Sequence, residues 1–309
     1  MTFARVIVAA VAALGLAAAA GCSGGRGHEL VSSDADQYSS PVWVGDTIYF
    51  LSRLQDHDDP PPSLMRVRAG GRPERVTVEH PDCPDPRGRS GGLSARVRKV
   101  VAVSGHELGL VITCGDGDTD APATIVRWDA GTGRSAVVGR IERAGEVAWS
   151  GGKGTVYYPT PSCPQTPPAG GLRSTCLSEP DAMLGAVAAD GSLVYLTTRC
   201  GTDAPGPESV FPVYSLCRRV GRGPASTVAR GVRSPAALTV HGDRIVIAGE
   251  ANGKAGVWLV KDGRFERIAG GRYRAAAFNA DGTRLAVAYR DKGWFSITWS
   301  LRVIPVPRA

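Results

Sequence analysis

Residues 275–289 read AAAFNADGTRLAVAY: an apolar run, the turn Asn279-Ala280-Asp281-Gly282, then a second apolar run. Asp-Gly supplies the positive backbone φ that a tight hairpin demands, and the flanking runs have the length of strands. The same plan stands at SPVWVGDTIYFLS (40–52), KVVAVSGHELGLVIT (99–113), EVAWSGGKGTVYYPT (146–160), LGAVAADGSLVYLTT (184–198) and AALTVHGDRIVIAGE (236–250). A second hairpin type follows several of these: LMRVRAGGRPERVTV (64–78), IVRWDAGTGRSAVVG (125–139), YSLCRRVGRGPASTV (214–228) and VWLVKDGRFERIAG (257–270). Two hairpins make a four-stranded unit that recurs every ~40–60 residues, the period of propeller blades. No stretch beyond the N-terminal leader repeats its apolar residues at helical spacing. The expectation is an all-β protein, a β-propeller over residues 34–309. Six blades of four antiparallel strands are expected, or seven if one lead hairpin is irregular.

Within this pattern SPVWVGDTIYFLS, VAWSGGKGTVYYPT and AAAFNADGTRLAVAY resemble the repeat of TolB-type, WD40-like propellers, and WDAGTGR (128–134) is similar to the outer hairpin of WD-type repeats. The resemblance covers most of residues 34–290. Its motifs specify blades and carry no chemistry. It implies a rigid interaction platform, with an envelope protein or polymer as partner.

The chain starts with Arg5, an apolar run over Val6 to Ala20, and Gly21-Cys22. A charged start, a short apolar core and small residues are the layout of an export signal, too short for a comfortable membrane span. Cys22 and its approach resemble the lipobox of bacterial lipoproteins, with Ala19 where Leu is usual. That resemblance implies a signal peptide over 1–21, diacylglycerol on Cys22, a tether over 22–33 and a place on the outer face of the cytoplasmic membrane. Secretion without a lipid is the alternative.

Setting Cys22 aside leaves Cys83, Cys114, Cys163, Cys176, Cys200 and Cys217, an even set that reads as disulfides outside the cytoplasm. Neighbour pairs are expected: Cys83–Cys114, Cys163–Cys176 and Cys200–Cys217. No Cys-x-x-Cys pair exists, and no His stands at ligand spacing to a cysteine, so no metal and no cofactor is expected. The net charge of +7 comes from 36 basic residues of which five are lysines. This arginine bias, with abundant Ala, Gly and Val, suggests a GC-rich, actinobacterial genome. No Lys/Arg run is interleaved with aromatics, so nucleic acid is not expected as a partner.

Motifs that imitate chemistry are weak. Gly88-Arg89-Ser90-Gly91-Gly92 matches a serine-hydrolase pattern that works only between a strand and a helix. Gly151 to Thr155 imitates a phosphate loop without its helix. His28, His57, His80, His106 and His241 are scattered, two of them in expected turns. Asp116, Asp118 and Asp120 open like a calcium loop, but the sixth and twelfth positions hold Ala121 and Arg127.

Two function classes remain. One is a lipid-anchored, non-enzymatic scaffold; the other is a secreted propeller enzyme acting on envelope glycans at the central channel. The inner strands read as small and apolar, with no carboxylates or histidines converging there, which favours the scaffold. The long loops between and within units carry the acidic residues Asp56, Asp58, Asp59, Asp116, Asp118 and Asp120. These loops sum to −6 in a mature chain of +6, so that face is expected to receive a cationic partner. The last unit lacks an outermost strand, and a segment around Glu29 to Ser32 is expected to supply it.

Overall fold

A computed structural model describes residues 27–54, 62–78, 95–114, 122–141, 146–150, 153–159, 169–177, 179, 181–200, 212–292 and 296–307. Among them every regular element is a strand. Strand β1 (His28–Ser33) opens the chain and belongs to its last sheet. The first sheet is β2 (Asp36–Val44), β3 (Thr47–Leu54), β4 (Ser63–Arg68) and β5 (Glu74–Arg75), in chain order. The next runs through β6 (Ala95–Ala102), β7 (Glu107–Cys114), β8 (Ala123–Asp129) and β9 (Ser135–Ile141). Strands β10 (Glu146–Ser150) and β11 (Lys153–Pro159) form the third lead hairpin. The short β12 (Ala169–Gly170) then adds to β9, and β13 (Arg173–Leu177) lies beside β11.

A seven-stranded sheet follows, built in order from β14 (Met183–Val187), β15 (Leu193–Thr197), β16 (Tyr214–Arg219), β17 (Ala225–His241), β18 (Arg244–Ala251), β19 (Lys254–Lys261) and β20 (Arg264–Gly270). The 17-residue β17 closes one hairpin pair and opens the next, and its pairing with β18 shifts register between Arg233 and Ala237. The last sheet is β21 (Arg272–Phe278), β22 (Arg284–Lys292), β23 (Ile297–Pro305) and β1. All six lead hairpins of the sequence are present as antiparallel pairs.

Two expectations need correction. The third unit is not four antiparallel strands: its described sheet has three, and β13 runs parallel to β11. A parallel neighbour requires a crossover of about a dozen residues. The segment between Pro159 and Arg173 provides it, placing β12 on the preceding sheet on the way. The tether assigned to 22–33 is also too long. Residues 28–33 form β1, whose His28 faces Val303 and whose Ser33 faces Trp299. Here the strand expected around Glu29 to Ser32 covers the free edge of β23. Arg302 fastens it with a 2.8 Å ion pair to Glu29, and Thr298 Oγ1 donates to Asp34 at 2.5 Å.

The second strands are buried along their length. Ile48 to Leu51, Leu108 to Ile112, Leu193 to Leu196, Ile245 to Ala248 and Leu285 to Ala288 are apolar apart from the hydroxyls of Tyr49 and Tyr195. Such continuous apolar runs arise because neighbouring sheets cover both faces of each strand. Each large side chain so buried stabilises by about 1.5–3 kcal/mol. Core clusters accordingly join neighbours: Val44, Tyr49 and Leu51 pack with Leu108, Leu110 and Trp128. At the next junction Trp149 of β10 lies over two glycines, 3.1 Å and 3.0 Å from where Cβ atoms of Gly109 and Gly154 would stand. Any larger residue there would push the indole out.

The lead turns use the expected chemistry. Gly45, Gly191, Gly242 and Gly282 take positive φ. Asp190 and Asp281 each accept from the N–H and hydroxyl of the residue two on, Ser192 and Thr283. Hydrogen bonds from Ser192, aided by Arg218, hold the Asp190 carboxyl down at about 2.

Candidate functional site

The first strands of the six lead hairpins lie side by side. In order, β2 contacts β6, β6 contacts β10, β10 contacts β14, β14 contacts β17, β17 contacts β21, and β21 returns to β2. Together they line one cavity of about 660 Å³. All six contribute to its wall: Ser39 to Trp43, Arg98 to Val103, Val147 and Trp149, Leu184 to Val187, Ala236 to His241, and Arg274 to Ala280.

Five of these six strands break their ladder near the start. The register slips between Ser39 and Val42, Val97 and Lys99, Met183 and Ala186, Arg233 and Ala237, and Tyr273 and Ala275. A bulge bends its strand and re-aims a side chain that strict alternation would bury against a neighbouring sheet. Three bulges hold a non-glycine residue at positive φ: Ser40 at 48°, Leu184 at 47° and Ser234 at 44°. Each such residue costs about 1–3 kcal/mol and persists only where its surroundings enforce it. Ser40 and Ser234 both precede a proline. Pro41, on the cavity wall, has no N–H to leave unpaired on this inner edge, whereas Ser234 and Pro235 line a separate pocket with Tyr214 and Glu250.

The wall is polarised. Strands β6 and β21, on either side of β2, bring Arg98, Lys99 and Arg274 to the cavity, with Ser39 and Ser40 between them. Arg98 Nε donates to Thr113 Oγ1 at 3.1 Å, which orients the guanidinium. The opposite wall, from β10, β14 and β17, is mainly apolar through Val147, Trp149, Leu184, Ala186 and Ala236, with Thr239 and His241 at the far end of β17. Among the described side chains no carboxylate lines the cavity. The sequence reading of the inner strands as merely small and apolar is corrected here. The cations sit at the strand starts, within or beside runs whose apolar character dominates, and the bulges bring them to the lumen.

His241 also lines the cavity, contrary to expectation, but at the other end of the strands. Its ring packs on Phe278, 5.7 Å between centroids. Phe278 stands four residues beyond Arg274, about 13 Å along a strand. His241 therefore does not meet the cationic group, and no acid–base pair forms from the two.

The remaining sequence candidates separate. Asp56, Asp58, Asp59, Asp116, Asp118 and Asp120 lie outside the described residues, as do Cys22, Cys83, Cys163, the 88–92 motif, His57 and His80. Cys114 ends β7. Cys200 and Cys217 are bonded as expected, with Cα atoms 5.8 Å apart and both residues buried. Cys176 is also disulfide-bonded. Gly154 and Thr155 belong to β11, so the phosphate-loop imitation is a strand. His28 stands in β1.

His106, Glu107 and Asp129 are grouped closely enough to hold a cation, and none is present. Their contacts are those of a hairpin. Glu107 pairs with Arg127 at 3.0 Å and accepts from Ser104. Asp129 is held below the usual carboxylate range by the Thr132 backbone N–H, supported by its hydroxyl and by Gly131. Arg127 already supplies the positive charge that Glu107 needs.

No family model matches the sequence, and no characterised protein matches it. Solved structures resemble it in fold. The acylaminoacyl peptidase of Pyrococcus horikoshii is 10% identical with a TM-score of 0.47, over 89% of this chain and 46% of that one. This chain therefore spans just under half the length of that peptidase. The β-propeller domain of the Trilobed protease from Pyrococcus furiosus is 10% identical with a TM-score of 0.38, over 89% and 86%. An oligogalacturonate lyase from Vibrio parahaemolyticus is 9% identical with a TM-score of 0.47, over 91% and 93%. The likeness is one of propeller-type fold.

Proposed function

We propose that this chain is a six-bladed propeller, closed by β1 on β23, that binds a ligand at the mouth of its central cavity. The observation that carries this reading is the set of bulges. Five first strands interrupt their ladders beside the cavity, and two of its lining residues, Ser40 and Leu184, are non-glycine residues held at positive φ. Recurrent local cost around one concave site is the mark of a site kept for a partner. The reading is of a binding scaffold in the cell envelope, anchored through diacylglycerol on Cys22 after removal of residues 1–21.

Ala236 tests the site. It lines the cavity and joins none of the core clusters. The full chain, displayed in detergent against a panel of neutral, acidic and basic envelope oligomers, should capture a ligand that Ala236→Trp does not. Equal capture by both proteins would remove the cavity from consideration. Cys22→Ala should release the protein into the medium, and membrane retention of that variant would refute the anchor.

Enzymatic action on envelope glycans is the second reading, and one observation favours it: a histidine and three cations line a single cavity. General acid–base chemistry needs the base within hydrogen-bond reach of the atom it serves. His241 would then have to act on a substrate threaded along the cavity. New reducing ends or unsaturated products from an acidic glycan, lost in His241→Ala, would establish this reading.

A further inference from the structure

We propose that the cavity ligand is a polyanion, a carboxylate- or phosphate-bearing oligomer, held by Arg98, Lys99 and Arg274. The inference rests on the cavity reading above and adds the chemistry of the ligand. Three basic residues, Arg98, Lys99 and Arg274, line one wall from two strands that flank β2, and Ser39 and Ser40 of β2 lie between them. Hydroxyls and backbone N–H groups donate to the same oxygens that cations attract, and charge-assisted hydrogen bonds are the stronger kind. Arg98 and Arg274 both stand where their strands slip register, so each is presented by a bulge. Thr113 accepts from Arg98 Nε at 3.1 Å, which fixes the angle of the guanidinium beside the wall.

The cavity geometry selects an oligomer over a small ion. A cavity of about 660 Å³ is the size of a ligand of several residues' reach, far beyond one phosphate. One wall is cationic and the facing wall is mainly apolar, with Trp149 and Leu184 among its residues. That arrangement suits a chain with acidic groups on one side and carbon–hydrogen faces on the other. It also opposes the expectation drawn from the acidic loops, which called for a cationic partner. The aspartates of those loops lie outside the described residues, and the cavity wall carries the opposite sign.

The test titrates the full chain in detergent with an oligouronate, a glycerol-phosphate oligomer and an oligolysine, at low and moderate salt. One or both polyanions should bind, with affinity falling as salt rises, and oligolysine titrated alone should not bind the cavity, so that Ala236→Trp leaves its titration unchanged. The triple variant R98Q/K99Q/R274Q should bind the polyanion at least about tenfold more weakly, with a flatter salt dependence. Preference for one polyanion identifies its source as a uronate or a phosphate polymer. Should the triple variant fail to fold, the exposed Arg274→Gln alone should show a smaller loss of the same kind. Absence of polyanion binding, or equal binding by the triple variant, overturns the proposal. If Ala236→Trp loses a ligand that the cation variants keep, the cavity reading stands and the polyanion falls. If the cation variants lose a ligand that Ala236→Trp keeps, the cavity reading falls instead.

Discussion

At the scale of residues, the strained positions are the most exacting test of what the cavity is for. Ser40 and Ser234 occupy φ values of 48° and 44° without the side-chain freedom of glycine. Replacing either by glycine removes the steric cost and adds some unfolded-chain entropy, so a net gain is expected. Ser40→Gly and Ser234→Gly should each raise stability by about 1 kcal/mol in urea unfolding, and Ser40→Gly, on the cavity wall, should also weaken ligand capture. A loss of stability would mean that the conformation is not strained. Asp190 gives a pH signature. Its carboxyl is held at about 2, below its ordinary 3.8, by Ser192 and Arg218. The folded pKa is depressed, so its contribution is complete above about pH 4 and disappears as pH falls through 2. Asp190→Asn should therefore flatten that acid limb of the unfolding midpoint. An identical acid profile in the variant would contradict the assignment.

At the scale of elements, the disulfide and the crossover mark where strands alone do not suffice. Cys200 follows β15 and Cys217 lies within β16, so their bond closes the loop over 201–213 against its own hairpin. A closed loop of this length stabilises by about 2–4 kcal/mol through restriction of the unfolded chain. Cys200→Ser with Cys217→Ser should lower stability by that amount in denaturant unfolding. A change under about half a kcal/mol would show that the bond is not structural. Arg219 adds a second tie across this junction, donating to the Cys176 carbonyl at 2.9 Å, so the parallel β13 is anchored to the following sheet.

At the scale of the whole molecule, the joining of the chain ends sets cooperativity. Strand β1 lies beside β23 by registered pairing, and Glu29 with Arg302 fixes the register at one end. Without β1 the edge of β23 would be exposed to pairing with other chains. Deleting residues 24–33 should lower the melting temperature by several degrees and promote association at high concentration. Unchanged melting would show that the fold does not depend on this strand. The charge pattern belongs to this scale as well, since Arg98 and Lys99 of the cavity wall lie in sequence between two acidic loops of opposite sign, 79–91 and 114–123.

Turns and apolar runs are local properties, and here the sequence alone determined them. Asp-Gly and related pairs dictate the backbone φ of the lead turns, and continuous apolar runs require strands covered on both faces, so six hairpins and an all-β chain follow from short stretches. The missing outer strand followed from counting. What only the tertiary structure decided is where the ladders slip and what crosses between units. A bulge depends on the packing of neighbouring sheets, and one inserted residue reverses the direction of a side chain. Period-two reading of the segment around Arg98 and Lys99 therefore missed their arrival at the cavity. The parallel placement of β13 escaped for a similar reason: it depends on a long crossover finding space between two sheets, and nothing within five residues of β13 specifies that.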